Sequence, residues 1–334
     1  MSALVIGHRG APGYRPEHSA ASYRLALELG ADAVEPDIVA TRDGVLVVRH
    51  ENEIGGTTDV AQHPEFVDRR TTKTIDGSEI SGWFTEDFSW EELQTLRVRE
   101  RIAKLRPGSA EYDGTERMLC LADVLELLRE HERTTGHHAG VVVEIKHATY
   151  FESIGLPLDD LLEHELRGTG WAAATGLVIE CFELSVLERL RGRGVDARYV
   201  YLIEKSGAPA DRVVRDGTAA ATYADDLGDA GLETLAAVVD GISVDKAYLL
   251  PWTTLGSGVG DLVARAHRRD LIVYTWTLRP ENAFLNARHR RGDDAGAFGD
   301  WQGEFDEIFS TGVDGVFADH TDLALRARAV RDTA

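Results

Sequence analysis

The chain has 334 residues, of which 43% are hydrophobic and 28% charged, a composition typical of a globular protein and sufficient for one large domain. Its formal net charge is −21, from 57 acidic and 36 basic residues. This excess argues against nucleic acid as a partner and against stable association with an anionic membrane surface, because both reward clustered Lys and Arg. The two cysteines, Cys120 and Cys181, imply no disulfide framework.

The N-terminal residues, MSALVIGHRG, run directly into an apolar segment. They contain neither the basic region nor the cleavage site of a secretory signal. No apolar run reaches the roughly 18 residues that a membrane helix needs. We therefore expect a cytoplasmic protein, although an exported form with its signal already removed would have the same sequence.

Apolar, β-branched segments alternate along the chain with segments of helical periodicity. Strands are predicted, in chain order, at 3–7, 33–38, 141–146, 176–181, 197–203, 241–245, 271–276 and 315–319. Helices are predicted at 17–29, 122–133, 158–168, 183–192, 231–239, 262–270, 304–312 and 321–331. Strands that alternate with helices indicate a parallel sheet, and eight such units favour a closed (β/α)8 TIM barrel. The apolar run 45–50 is interpreted as an extension of the second strand.

Residues 52–119 interrupt the alternation and are rich in Thr, Gly, Asp and Pro. A structureless loop of this length is improbable in a compact domain. We therefore expect a single barrel domain over residues 1–334, with an insertion at about 52–119 that has some structure of its own and lies at the barrel mouth. Residues 204–228 are expected to form a second, smaller insertion.

The predicted strands end in polar residues, and the carboxyl ends of barrel strands carry the active site in this fold. Glu35 and Asp37 are two positions apart and should share one face of the second strand. Two like charges there are costly unless a positive group lies between them. With Glu144 at the end of the third strand they form an all-oxygen set, which suits Mg²⁺ or Ca²⁺ better than zinc.

Two histidines and two cations occur at the same strand ends. His8 and His50 can serve as general base and general acid near neutral pH, and Arg9 and Lys146 can hold a phosphate. Taken singly, each residue has an ordinary structural explanation; Lys146, for example, could simply neutralise Glu144. Their occurrence together in the first half of one barrel favours an active site.

Other residues are weaker candidates for the same site. Glu180 ends the fourth strand and Trp276 the seventh, and both could contact the substrate, although a core tryptophan is an equal alternative. His147 follows the third strand and is expected to be a hydrogen-bonded loop residue. Asp319 is expected to cap the helix after the eighth strand.

Several stretches together resemble the glycerophosphodiester phosphodiesterases, over essentially the whole chain. They are HRG (8–10), PEHS (16–19), residues 30–51, VEIK (143–146), YTWT (274–277) and DGVFAD (314–319). Residues 70–96 also resemble the insertion of the larger bacterial members. The resemblance implies metal-dependent hydrolysis of a small-molecule glycerophosphodiester to glycerol-3-phosphate and an alcohol. It implies His8 and His50 as acid and base, and the cation on Glu35, Asp37 and Glu144.

The chain departs from the family pattern at two places. It has Pro-Glu-His-Ser where the family usually has Pro-Glu-Asn-Thr, so His18 could alter hydrogen bonds that orient the site. It has Glu51 after the second histidine, where Asp is usual; Glu51 could orient His50 or approach the metal. A related barrel phosphodiesterase that acts on intact phospholipids and an inactive binding homologue are the alternatives. The alcohol head group, the choice of metal, the assignment of acid and base, the attacking group (glycerol hydroxyl or water) and the oligomeric state stay open.

Overall fold

The computed structural model describes residues 2–171, 175–250 and 261–332. Its strands are β1 (Leu4–His8), β2 (Ala33–Glu35), β3 (Asp37–Ala40), β4 (Leu46–Val48), β5 (Thr71–Ile75), β6 (Ser78–Gly82), β7 (Gly140–Ile145), β8 (Leu177–Cys181), β9 (Arg198–Ile203), β10 (Gly241–Asp245), β11 (Ile272–Leu278) and β12 (Gly315–Ala318). Its α-helices are α1 (Ala20–Glu28), α2 (Trp90–Leu93), α3 (Pro107–Ala110), α4 (Leu121–Thr135), α5 (Ala148–Ser153), α6 (Leu158–Thr169), α7 (Leu184–Gly192), α8 (Ala210–Asp216), α9 (Tyr223–Asp226), α10 (Asp229–Ala236), α11 (Leu262–His267), α12 (Trp301–Ser310) and α13 (Thr321–Asp332).

The main sheet closes into a parallel barrel. β1 pairs with β2 on one side and with β12 on the other, and β7 to β12 follow one another in chain order. β7 completes the ring by pairing with both β2 and β3. If β2 and β3 are counted as two pieces of one strand, the ring has eight parallel strands, which confirms the predicted (β/α)8 TIM barrel.

The second barrel strand is interrupted at Pro36, where one continuous strand was expected. β2 ends at Glu35 and β3 begins at Asp37. Proline has no N–H group, so it cannot donate to the ladder and the strand breaks there. The Pro36 carbonyl still accepts a hydrogen bond from the Glu144 N–H at 3.0 Å, which keeps the two pieces aligned against β7.

The apolar run 45–50 forms a hairpin strand. β4 pairs antiparallel with β3, with Val48 opposite Ile38. His50 therefore follows the second arm of a hairpin that folds back over the barrel rim, and does not end a barrel strand of its own. The hairpin brings His50 to the edge where β7 ends, with its Nε2 3.4 Å from the Lys146 Nζ.

Interior side chains change from apolar to polar toward the carboxyl ends of the strands. One apolar interior layer includes Ile6, Ala33, Val142, Val178 and Tyr274. Strand side chains alternate between faces, so the next interior position on each strand lies two residues further along. Those positions are His8, Glu35, Glu144, Glu180 and Trp276. The alternation therefore delivers a layer of polar groups directly above the apolar core.

Helix α1 begins later than its periodicity predicted. Its N-cap is Ser19, whose Oγ accepts from the Ser22 N–H at 3.1 Å, whereas the helix was expected from residue 17. His18 has a φ of +58°, which lies outside the helical region. The PEHS segment is therefore a loop, and the buried side chains of Glu17 and His18 are available to the site and not to a helix face.

Residues 52–119, which we refer to as the insertion, contain strands and short helices of their own. β5 and β6 form an antiparallel hairpin, with Asp76 and Gly77 at its turn in left-handed conformations (φ 47° and 82°). Most of the hairpin is exposed, but Ile75 and Gly82 are buried at the ends of its two strands, and Phe84 just beyond it is also buried. The second segment, 204–228, contains α8 and α9.

In the part of the chain that the structure describes, none of the helices combines the length and the apolarity required to cross a bilayer.

Candidate active site

A cavity of about 830 Å³ opens at the carboxyl ends of the barrel strands. Ten of the residues singled out from the sequence line it: His8, Arg9, Glu35, His50, Glu51, Glu144, Lys146, His147, Glu180 and Trp276. The insertion contributes Thr74, Asp76, Gly77 and Arg101 to the wall, and the second segment contributes Val213 and Val214. Two other candidates, His18 and Asp37, are fully buried and lie behind the wall.

Three carboxylates converge on one point of the cavity. Glu35, Glu144 and Glu180 each offer one oxygen, and these oxygens lie within 4.8 Å of one another. The strand register explains the cluster, because Glu144 on β7 pairs with Glu180 on β8 and with Asp37 on β3. Sequence analysis had grouped Glu180 with substrate contacts; the structure places it among the acidic residues.

The carboxylates of this region are only partly compensated by neighbouring donors. The side-chain oxygens Glu35 Oε1, Asp37 Oδ1 and Glu180 Oε2 are buried without a hydrogen-bond partner among the described residues. Burial, and then repulsion by neighbouring carboxylates, raises the pKa of Glu35 and Glu180 well above the usual range. Burial also raises the pKa of Glu144 to about 8. Such a set needs protons or a cation, and its all-oxygen chemistry fits a hard divalent ion.

Asp37 is held by positive groups behind the cluster. Its Oδ2 lies 2.9 Å from His18 Nε2 and 3.2 Å from Arg9 Nε, and its Oδ1 lies 3.8 Å from Lys146 Nζ. Burial alone would raise the pKa of Asp37, but Lys146 and Arg9 lower it well below the usual range. Asp37 is therefore ionised, and one of its oxygens still lacks a hydrogen-bond donor among residues 2–171, 175–250 and 261–332.

His8 is oriented by the carboxylate of Asp319, which was expected to cap a helix. Its Nδ1 lies 2.6 Å from Asp319 Oδ1, and Asp319 Oδ2 accepts from Arg106 at 2.6 Å and from Arg279 at 2.7 Å. The expectation that Asp319 caps a helix is wrong, because both of its carboxylate oxygens contact the side chains of His8, Arg106 and Arg279. The strand-end rule that found the other residues applies equally to Asp319, which directly follows β12.

His50 and Glu51 form a second pair. His50 Nδ1 lies 2.8 Å from Glu51 Oε1, so Glu51 is placed to orient the imidazole. Burial, and then the charges of Arg9 and Lys146, lowers the pKa of His50 to about 3. Burial and Arg9 lower the pKa of His8 to about 4. Both rings are neutral near pH 7, the state in which an imidazole can accept a proton.

Arg9 and Lys146 are the two predicted cations of the cavity, which Arg101 and Arg279 also line. Arg9 has a φ of +57°, and its guanidinium donates to Glu17 at 3.0 Å. Glu17 belongs to the PEHS loop and was missed as a site residue because it was assigned to a helix. Lys146 Nζ donates to Glu144 at 2.7 Å, so the two residues do neutralise each other in part while both still line the cavity.

The remaining sequence candidates have clear positions. His18 bridges Tyr23 Oη (2.7 Å from Nδ1) and Asp37, so it supports the site from behind the cavity wall. Trp276 stacks edge-to-face on Phe182 at 5.9 Å between ring centroids, and both line the cavity. The Trp276 Nε1–H group is buried without an acceptor in the described part of the chain. Trp276 is thus a wall residue with a donor to offer.

Comparison with known proteins agrees with this geometry. Residues 8–323 match the profile of the glycerophosphoryl diester phosphodiesterase family. The chain belongs to this family. The match includes every residue that lines the cavity, and it confirms the assignment made from the sequence motifs. The chain is accordingly an enzyme of the phosphodiesterase class.

Family members of known sequence and structure cover nearly the whole chain. A glycerophosphodiester phosphodiesterase of Arabidopsis thaliana is 29% identical over 330 residues, which is 95% of this chain and 83% of that protein. One from Treponema pallidum is 25% identical and covers 97% of this chain and 91% of its own. The crystal structure of a family member from Silicibacter pomeroyi has a TM-score of 0.68 at 20% identity, over 99% of this chain and 95% of that chain.

An Oleispira antarctica phosphodiesterase has the same fold, with a TM-score of 0.64 and 18% identity over 98% of this chain and 96% of that chain. That protein was solved in complex with the product sn-glycerol-3-phosphate.

Proposed function

We propose that the protein hydrolyses small-molecule glycerophosphodiesters to glycerol-3-phosphate and an alcohol, with a divalent cation and two histidines. The observation that carries the proposal is that one cavity is lined by all the side chains that the reaction needs. Two neutral imidazoles, two cations and the acidic cluster all line it, which are the groups that phosphodiester cleavage requires. The product complex of the Oleispira antarctica relative supports this choice of substrate.

The cation is proposed to be Mg²⁺ or Ca²⁺, held by Glu35, Asp37 and Glu144, with Glu180 as a fourth carboxylate. The oxygens of Glu35, Asp37 and Glu180 that lack donors in the described residues support this set. When bound, the ion would act as a Lewis acid toward the phosphoryl group and would compensate the buried negative charge.

The histidines supply the proton transfers. The Nδ1 of His8 is engaged by Asp319 and that of His50 lies beside Glu51, so Nε2 is the atom through which each ring would exchange a proton with the substrate. In His50 this atom also lies 3.4 Å from the Lys146 Nζ. One histidine, as the neutral imidazole, accepts the proton of the attacking hydroxyl; the other takes up a proton when the anionic diester binds beside it and donates that proton to the leaving alcohol. The attacking group is either the glycerol 2-hydroxyl, which gives a cyclic phosphate that water then opens, or water itself.

Arg9 and Lys146 bind the phosphate in a protein that is otherwise strongly acidic. Their charges are buried and therefore little screened by solvent. They attract the anionic phosphate of the diester into the cavity, although the net negative charge of the protein as a whole would repel it.

The test measures glycerol-3-phosphate release from glycerophosphocholine and glycerophosphoethanolamine. The protein is first treated with EDTA, and Mg²⁺, Ca²⁺ or Mn²⁺ is then restored separately. We expect release only after metal is restored. Release without metal would remove the cation from the proposal, and the absence of release with every metal would reject these diesters as substrates. A parallel assay with phosphatidylcholine vesicles distinguishes an enzyme that acts on intact phospholipids.

A further inference from the structure

Both histidines lie beside carboxylates, and each carboxylate is connected to a side chain of the insertion, directly for Asp319 and through His147 for Glu51. The two connections start from different parts of the insertion and reach different histidines. Neither was anticipated from the sequence, because the insertion has no periodicity that would predict which of its side chains face the barrel.

The first connection runs through Asp319. Arg106, which directly precedes α3, donates from its Nη2 to Asp319 Oδ2 at 2.6 Å, and from its Nε to Glu281 Oε1 at 2.7 Å. The Arg106 side chain is only 5% exposed, so its two charge-assisted hydrogen bonds lie away from solvent and are strong. Asp319 presents its other oxygen to His8.

The second connection runs through His147 and Glu51. Asp76, at the turn of the β5–β6 hairpin, lies 2.6 Å from His147 Nδ1 through its Oδ2. His147 Nε2 lies 3.0 Å from Glu51 Oε2, and Glu51 Oε1 lies 2.8 Å from His50. The Glu51 side chain is long enough for its two oxygens to contact the imidazoles of both His147 and His50. This arrangement gives Glu51 a role at the position where the family usually has Asp.

The backbone along the second connection adopts conformations that few residues occupy. Asp76 and His147 have φ values of +47° and +51°, in the left-handed region that is unfavourable for most side chains. The contact between the Asp76 and His147 side chains joins these two positions directly. The hairpin turn is therefore attached to the barrel at His147 and does not simply cover the cavity.

We propose that the insertion is part of the catalytic apparatus: Arg106 and Asp76 are positioning residues that keep His8 and His50 in their proton-transfer orientations. Arg106 acts through Asp319, and Asp76 acts through His147 and Glu51. The inference rests on the proposed function for the roles of the two histidines. The connections themselves rest on hydrogen bonds, except at the last step to His50, where a 2.8 Å contact between His50 Nδ1 and Glu51 Oε1 carries it.

The experiment uses two variants with matched controls. Arg106→Gln removes the first connection, and Arg117→Gln, an exposed arginine of the same insertion, is its control. Asp76→Gly removes the second connection without straining the turn, since glycine accepts positive φ. Its control is Asp270→Gly, because Asp270 is also exposed and has a φ of +59°.

Two readouts are taken for each protein. The first is kcat and KM for glycerophosphocholine, where loss of orientation should lower kcat by about 10- to 100-fold and change KM little. The second is the ¹⁵N NMR spectrum of the imidazoles in the absence of substrate, which reports the tautomer of each ring. Of the two proposed acid–base histidines, we expect Arg106→Gln to change the signals of His8 only. We expect Asp76→Gly to change those of His50 only, together with those of its direct partner His147, and both controls to be like the wild type.

Unchanged imidazole signals in both variants would overturn the inference, as would equal losses of kcat in the controls. If Arg106→Gln does not fold, Arg106→Lys keeps the charge but not the two-pronged geometry and should still alter His8, while the Asp76→Gly arm stands on its own. A wild-type protein without activity would reject the proposed function, but the NMR comparison would still decide whether the connections exist.

Discussion

His8 and Asp319 are separated by 311 positions in the chain, yet His8 Nδ1 lies 2.6 Å from Asp319 Oδ1. His8 ends the first strand of the barrel and Asp319 directly follows the last, and these two strands are neighbours only because the sheet closes. This contact fixes the imidazole and, with Nδ1 donating, leaves Nε2 for chemistry. Closure of the barrel thus creates a pair of the kind that orients histidines in other acid–base sites.

The contact predicts the effect of Asp319→Asn. The amide has the shape of the carboxylate but can donate to Nδ1, which would favour the wrong tautomer of His8. We expect kcat to fall by about 10- to 100-fold with little change in KM. The variant also leaves Arg106 and Arg279 without their shared anion, so circular dichroism must first show that it is folded. A folded variant with normal kcat would mean that Asp319 does not orient His8.

The acidic cluster predicts the effect of Glu180→Gln on cation binding. Glu180 shares the 4.8 Å cluster with Glu35 and Glu144, and its Oε2 is one of the buried oxygens without a donor in the described residues. The substitution keeps the shape and removes one negative charge, so the Kd for Mg²⁺ or Ca²⁺ should rise by roughly 10-fold or more. Titration calorimetry measures it, with the exposed Glu188→Gln as control. An unchanged Kd would remove Glu180 from the cation site.

His147 predicts a pH dependence of stability. Burial alone would lower its pKa, but its bonds to Asp76 and Glu51 raise it to about 9. Because the folded-state pKa lies above the unfolded value of about 6.5, protonation of His147 stabilises the fold fully below pH 6.5, and this contribution is lost as the pH rises through 9.

The comparison is between the wild type and His147→Asn, since asparagine tolerates the left-handed backbone at this position. The Tm of the wild type should exceed that of the variant most at pH 6, and the difference should shrink steadily up to pH 10. Thermal unfolding at intervals of one pH unit measures the difference. A gap that stays constant or widens with pH would show that His147 is not held in its charged form.

The barrel and most of the cavity were predictable from the sequence because both follow from short-range periodicity. Strand–helix alternation indicates the fold, and the last interior position of each strand identifies residues such as His8, Glu144 and Glu180. The sequence shows a proline, Pro36, inside a predicted strand. Whether that strand would end there or continue beyond it depended on the pairing of β7 with both halves, which the sequence does not encode.

The residues that orient the site could not be predicted in the same way. Arg106 and Asp76 lie in a segment without periodicity, and their partners Asp319 and His147 are far away in the chain. Such contacts depend on where the insertion packs, which no local pattern encodes. His147 was expected to be a hydrogen-bonded loop residue, which is correct, but its partners could not be read from its neighbours.

The most direct test of the account is single-turnover release of glycerol-3-phosphate from glycerophosphocholine in saturating metal, for the wild type, His8→Ala and His50→Ala. The account predicts that each substitution slows release by about 10²- to 10⁴-fold, the usual contribution of a positioned acid or base, while substrate binding is largely kept. Near-normal release by both variants, folded and metal-loaded, would contradict the two-histidine mechanism.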